Sequence, residues 1–215
     1  MTGKDFMIAA LEEISRFIIE HEGALNRLDN AIGDGDHGTN MARASRMMLK
    51  LLPELIETRE DMGEILHQVG MGCISEVGGS AGPLFGTFYL RAGMYNRGKT
   101  VMEPADWVNS FKAGAVGVSQ LGMSSEGEKT MLDALFPAGR AMNEALEAGK
   151  SLQEILAAGA EAARGGVEYT KTIQASKGRA AYIGERSLGH QDPGATTIML
   201  MIQALHKVAV DMNVE

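Results

Sequence analysis

Residues 195–212 read ATTIMLMIQALHKVAVDM. Ile198, Met201, Ile202, Leu205, Val208 and Met212 recur at steps of three and four, which gathers them on one face of an α-helix. A half-buried strand would alternate every second residue, and no stretch of the chain does so convincingly. The helical period repeats outward from this segment towards the N-terminus. Residues 151–172 present Leu152, Ile155, Leu156, Gly159, Ala162 and Ala163. Residues 131–148 and 104–121 give two more helices, and 83–96 another with Pro83 well placed in its first turn. Residues 62–77 turn Ile65, Leu66, Val69, Cys73 and Val77 inward. Residues 39–53 run through Met41, Met47, Met48 and Leu51 to Pro53, and 5–21 carry Met7, Leu11, Ile14 and Ile18. Eight helices, with no linker, repeat or low-complexity segment, predict one all-α domain over residues 1–215.

Composition agrees with packed helices. Hydrophobic residues make up 45% of the chain, aromatics only 5%, while Gly (27) and Met (15) are abundant. Small and flexible side chains suit close helix packing, and the methionines read as core filler. A net charge of −8 with no basic stripe argues against nucleic acid as a partner. The single cysteine, Cys73, rules out an intrachain disulfide and fits a reducing cytoplasm. The N-terminus has no signal-peptide core, and no apolar run approaches the ~18 residues of a membrane span.

Chemistry concentrates in the connections. Residues 29–40, DNAIGDGDHGTN, pack Asp29, Asp34, Asp36 and His37 among three glycines. Carboxylates crowded this closely repel one another unless they hold something positive, and hard oxygen donors favour Mg²⁺, Ca²⁺ or Mn²⁺. The plain alternative is a turn followed by a helix N-cap. An EF-hand needs Glu at its twelfth position, where counting from Asp34 gives Ser45 and from Asp29 gives Asn40. Zinc lacks a second His or Cys at ligand spacing. The loop discharges into a helix N-terminus, where free N–H groups and the helix dipole favour anions.

Three other loops share its glycine-rich character. VGGSAGPLFG (77–86) is no Walker A loop, because no GK[ST] follows. It is either a tight interhelical crossing or a phosphate cradle. GMSSEGEKT (122–130) carries Lys129, solvated by default. QASKGRAAYIGERSLGHQDPG (174–194) exceeds the usual connection length and reads as functional. Within it Arg179 offers a planar fork to phosphate or a surface ion pair. Asp192 reads as the N-cap of the last helix with Pro193 at its first position, alone or together with a ligand role.

The motifs GDGDHGTNM, GGSAGPLFG, GEKTM, KGRAAYIGERS and GHQDPGATT, in this order over essentially the whole chain, resemble the nucleotide-binding L subunits of the dihydroxyacetone kinases. The resemblance implies a barrel of eight antiparallel helices with ADP or ATP held at one end through two Mg²⁺ ions. It implies a divided kinase. A separate K subunit binds the substrate, and in many bacteria a phosphotransferase-system M subunit recharges the bound ADP. A homodimer stays open. Carried over by position, Asp29, Asp34 and Asp36 are the metal ligands. His37, Thr39, Asn40, Ser80, Ala81, Gly122, Met131, Arg179, Asp192 and Gly194 fall at nucleotide-contacting positions, with Arg179 as the catalytic residue. Two departures stand out: Ser80 and Ala81 are exchanged relative to the GGASG of bacterial L subunits, and Met123 replaces a GK-type residue after Gly122.

The chemistry expected is phosphoryl transfer, which is mostly positioning and charge neutralisation. Two rivals remain at this stage. One is the nucleotide domain of a fatty-acid kinase, disfavoured because further domains would be expected after Glu215. The other is a nucleotide-loaded regulator without turnover. The sugar (dihydroxyacetone, glyceraldehyde or a tetrulose) and the phosphate donor are not legible here.

Overall fold

The protein is described by a computed structural model over residues 1–214. All eight expected helices are present: α1 (Lys4–Glu20), α3 (His37–Thr58), α4 (Met62–Glu76), α5 (Ala81–Tyr95), α6 (Pro104–Gly122), α7 (Leu132–Glu147), α8 (Leu152–Thr170) and α9 (Pro193–Asp211). Two elements are additional. One is α2 (Glu22–Ile32), which occupies the first part of the stretch read as an acidic loop. Only Leu25, Asp29 and Ile32 of α2 are buried, a stripe too thin to announce a helix by period. The other is a 3-10 helix (Arg179–Ser187) inside the long last connection, broken at Gly184 where φ is 59°. Among the described residues there is no strand, only one antiparallel bridge between Thr2 and Met102.

Helix α3 does not stop at Pro53 as read from the sequence but continues to Thr58. Leu52 and Leu55, on either side of the proline, are both buried in the core. Their packing outweighs the missing N–H, a defect worth ~3 kcal/mol in a helix interior.

The long helices close a ring. Each of α3 to α9 packs on the next in sequence, and α9 packs against α1, which packs against α3. Because most of these connections are short, neighbours run antiparallel. Helices α3, α5, α7 and α9 therefore begin at one end of the barrel, and α1, α4, α6 and α8 at the other. The interior holds Met7, Leu11, Ile65, Leu135 and Ile155, all fully buried, each worth roughly 1.5–3 kcal/mol relative to exposure.

The α4–α5 pair approaches backbone to backbone along its length. A Cβ on Gly63 would lie 2.5 Å from the Gly93 carbonyl, and one on Gly70 or Gly86 would lie 2.8 Å from the other's carbonyl. Alanine at these positions would push backbone against backbone, so small residues set this spacing.

Candidate functional site

The ring's antiparallel order decides where the chemistry lies. The starts of α3, α5, α7 and α9 meet around an open cleft. Its wall includes Asp29, Asp34, Asp36, His37 and Asn40 from α2, the following turn and α3. It includes Ser80 and Ala81 at α5, Met131 before α7, Arg179 from the 3-10 helix, and Asp192 and Gly194 at α9. The residues before α3, α5 and α7, namely Asp36, Ser80 and Met131, give no side-chain cap. Other side chains close two of these starts: at α3 the His37 and Thr39 N–H groups donate to Asp29 and Asn26, and at α7 the Leu132 N–H donates to Thr130 Oγ1 (3.2 Å), so the positive end of α5 is the one that faces the cleft without a side-chain acceptor.

Two of the positions carried over by resemblance sit elsewhere. Thr39 turns to α2: its N–H donates to Asn26 Oδ1 (2.9 Å) and its hydroxyl accepts from Asn26 Nδ2 (2.9 Å). Gly122 ends α6, and a Cβ there would sit 3.6 Å from Leu84, a cleft residue, so it backs the wall rather than forming it. The stretch 77–86 divides by role. Gly78 and Gly79 line the cleft, Gly79 at φ +66°, whereas a Cβ on Gly82 would strike the Val77 carbonyl at 2.4 Å. The tight crossing read from the sequence lies at Gly82, while Gly78 and Gly79 are the part of the loop open to the cleft.

One ligand atom from each of Asp29, Asp34 and Asp36 lies within 4.8 Å of the others. Asp29 belongs to the last turn of α2 rather than to the glycine loop, and it is buried. Its Oδ2 accepts from the backbone N–H of Asp36 (2.9 Å) and of His37 (3.0 Å). These bonds fold the turn back over the helix and bring the later aspartates to Asp29. Gly33 permits the fold, because a Cβ there would sit 2.2 Å from Asp29 Oδ1. An all-oxygen donor set of net charge −3 fits a hard divalent cation.

Arg179 reaches the same cluster. Its Nη1 lies 2.8 Å from Asp34 Oδ2. The arginine is 63% exposed, so the pair is worth no more than about 1 kcal/mol and is easily exchanged for another anion.

Behind the cluster, burial holds the His37 imidazole below its usual pKa, against the pull of Asp29 and Asp36. Its Nε2 lies 2.8 Å from Thr197 Oγ1, whose own proton is committed to the Pro193 carbonyl (3.0 Å). That assigns the ring proton to Nε2. Thr197 and Phe85, 6.5 Å from the His37 ring, were passed over in the sequence, though both lie inside motifs already singled out. Lys177, two residues before Arg179, also lines the cleft.

Asp192 is the N-cap of α9: Oδ2 accepts from Ala195 N–H at 2.7 Å, with Pro193 at the first helical position. Burial pushes its carboxyl up to about 7. Burial also raises Asp133, which accepts from Gly127 (2.5 Å) and Thr130 (2.7 Å).

Lys129 departs from the solvated lysine expected. It is 1% exposed and holds φ +61°, a left-handed conformation costing a non-glycine residue about 1–3 kcal/mol. Its ammonium donates to the carbonyls of Thr170, Ile173 (3.3 Å) and His190 (2.5 Å). Burial lowers its pKa, while Asp192 and Asp133 act to raise it. No described helix is long and apolar enough to cross a membrane.

Residues 31–207 match the profile of the DAK2 domain. The chain is similar to the protein of Escherichia coli (strain K12) named PEP-dependent dihydroxyacetone kinase, ADP-binding subunit DhaL. They are 41% identical over 181 residues, which cover 84% of this chain and 85% of that one. It is similar to PEP-dependent dihydroxyacetone kinase 1, ADP-binding subunit DhaL, of Listeria innocua serovar 6a: 35% identity over 207 residues, 96% of this chain and 98% of that one. Among solved structures, the dihydroxyacetone kinase of C. freundii in complex with AMP-PNP and Mg²⁺ superposes with a TM-score of 0.75 at 27% identity. The match covers 96% of this chain and 34% of that one.

Proposed function

We infer the function from one premise: the chain belongs to the DAK2-domain family. We propose that it is the ADP- and ATP-binding subunit of a dihydroxyacetone kinase. One observation carries this reading: Asp29, Asp34 and Asp36 share a single cleft with the starts of four helices. Carboxylates alone would repel a nucleotide, and helix starts alone would not hold a metal. Together they suit a metal–diphosphate pair, each half of which stabilises the other.

The three aspartates would hold Mg²⁺, two ions in the full reading. Bound there, the metal neutralises phosphate oxygens and the charge that develops on transfer. The protein's own groups do the rest. Asp29 holds the metal-binding turn in register through its two backbone bonds. Arg179 turns from Asp34 to the phosphates once the metal satisfies that carboxylate. The uncapped start of α5 presents N–H groups to phosphate. Neutral His37, fixed by Thr197, adds no second positive charge against the metal. No nucleophilic side chain is required, because the attacking oxygen belongs to a substrate carried by a K-type partner. An M-type phosphotransferase partner would recharge ADP in place, which makes ADP a retained cofactor.

The test begins with protein purified in Mg²⁺ without added nucleotide, then denatured and its supernatant analysed. Near-stoichiometric ADP is expected, as is turnover only when a K-type subunit is added. Nucleotide binding without turnover beside any K-type partner would favour a regulator. Empty protein that exchanges ATP within seconds would point to free ATP as the donor.

A further inference from the structure

We propose that Lys129 is a positioning residue whose buried ammonium acts as a built-in cation, tying both ends of the 171–192 segment so that Arg179 and Asp192 stay on the cleft. The inference rests on the nucleotide-binding reading above and adds to it a residue that does not touch the ligand.

The geometry is that of a cation site. An ammonium has three N–H donors, and Lys129 has three carbonyl acceptors, Thr170, Ile173 and His190. Full use of the three donors identifies the charged form, since a neutral amine would have only two. The acceptors come from two places. Thr170 is the last residue of α8, so its carbonyl is one of those left over at a helix C-terminus, where a positive charge is favoured, and Ile173 lies in the turn three residues further on. His190 lies at the other end of the segment, two residues before the α9 cap. The carboxyl groups of Asp133 and Asp192 lie near the ammonium and act to raise its pKa.

Lys129 borders the cleft, and its hydrogen bonding rather than its position argues against a direct role. All three N–H groups are committed, so Lys129 can reach phosphate only by releasing the segment. The left-handed backbone at Lys129 is the local distortion that aims the side chain inward. Neighbouring bonds close the same seam: Gly189 N–H donates to the Lys171 carbonyl (2.8 Å), and Asp192 N–H to Thr170 Oγ1 (2.9 Å). The middle of the segment is anchored by Ala175 and Ala180 packing on Ile32 and by the Ser176 N–H on the Glu128 carbonyl, and tying its ends shortens further the chain that must be ordered when nucleotide binds.

Two variants test the idea in the full chain, Lys129→Met and Lys129→Ala, each checked for helical content. The readouts are Mg·ADP affinity by calorimetry and amide hydrogen exchange by region. Lys129→Met should weaken Mg·ADP binding by about tenfold or more and speed exchange within 171–192, while α3 to α6 keep wild-type protection. Lys129→Ala should behave alike and recover affinity and protection with saturating n-propylammonium, which replaces the missing atoms. Tetramethylammonium, equally charged but without N–H donors, should not restore it. Wild-type affinity and exchange in Lys129→Met would overturn the proposal. So would exchange raised uniformly around the barrel with no recovery by propylammonium, because that describes a residue holding the whole fold. Wild-type protein that fails to take up Mg·ADP would instead remove the nucleotide reading, and the exchange measurements would still decide the clamp.

Discussion

The two ends of the barrel are built by opposite rules. At the end away from the cleft, the starts of α4 and α8 are closed by side chains, while α1 follows Gly3 and has none. Asp61 accepts from Gly63 N–H (2.7 Å) and Glu64 N–H (3.2 Å) at α4, and also from Gly98 (2.7 Å) in the connection to α6. Ser151 and Glu154 form a reciprocal box at α8. At the cleft end α5 starts without a side-chain cap, and three aspartates are crowded together. One end satisfies its backbone internally and contributes stability. The other leaves N–H groups and carboxylates for a ligand to satisfy.

The sharpest break in that comparison is loss of a metal carboxylate. Asp34→Asn keeps shape but removes one charge from the cluster. Outer-shell changes at metal sites cost ~10–100-fold, and a ligand should cost at least as much, so Mg·ADP affinity is expected to fall by about a hundredfold in calorimetry. Relief of repulsion should leave the melting temperature of the metal-free protein unchanged or higher. Unaltered affinity would remove the cluster from the metal site.

Arg179→Lys comes next. It keeps the charge and loses the planar fork. A charge-assisted hydrogen bond is worth roughly 1.5–3 kcal/mol, so affinity or transfer rate should drop about tenfold. Kinetics and affinity equal to wild type would leave Arg179 as only the surface partner of Asp34.

The helices were legible because their apolar stripes are thick, as in Ile198, Met201, Ile202, Leu205 and Val208. Helix α2 was not, because three buried residues do not make a period. The cleft was legible as motifs, yet its geometry was not. Nothing in the local sequence says that the starts of α3, α5, α7 and α9 share one end; that follows from ring closure. Lys129 was misread for the same reason. Its acceptors lie 41 to 61 residues away, and a lysine in a polar loop carries no local sign of burial.

A smaller effect separates the two ends by readout. Asp61→Ala should cost about 1–2 kcal/mol, lowering the melting temperature by roughly 2–8 °C with Mg·ADP affinity intact. Ser80→Ala, at a start without a side-chain cap, should leave stability within about 0.5 kcal/mol and weaken Mg·ADP by about three- to tenfold. The reverse pattern would dissolve the distinction between a stabilising end and a binding end.

The smallest effect is one of pH, and it concerns the side-chain cap of α9. Burial raises Asp192 to about 7 in the folded protein, against ~3.9 for an unfolded aspartate. Between those values the folded state holds a proton that the unfolded state has lost. Folding stability from this group is therefore fully present below pH ~4 and is lost as pH rises through about 7. Asp133, also raised by burial, contributes a slope of the same sign in any Asp192 variant. Asn caps a helix about as well as Asp, so Asp192→Asn keeps the bond to Ala195 and removes only the titration. In chelator, without nucleotide, wild-type stability should fall more steeply than that of Asp192→Asn between pH 5 and 7 in denaturant titrations. Parallel curves would mean that Asp192 is already ionised in the fold, its charge held by the Lys129 ammonium, and that the capped start at the cleft is an ion pair rather than a neutral acid.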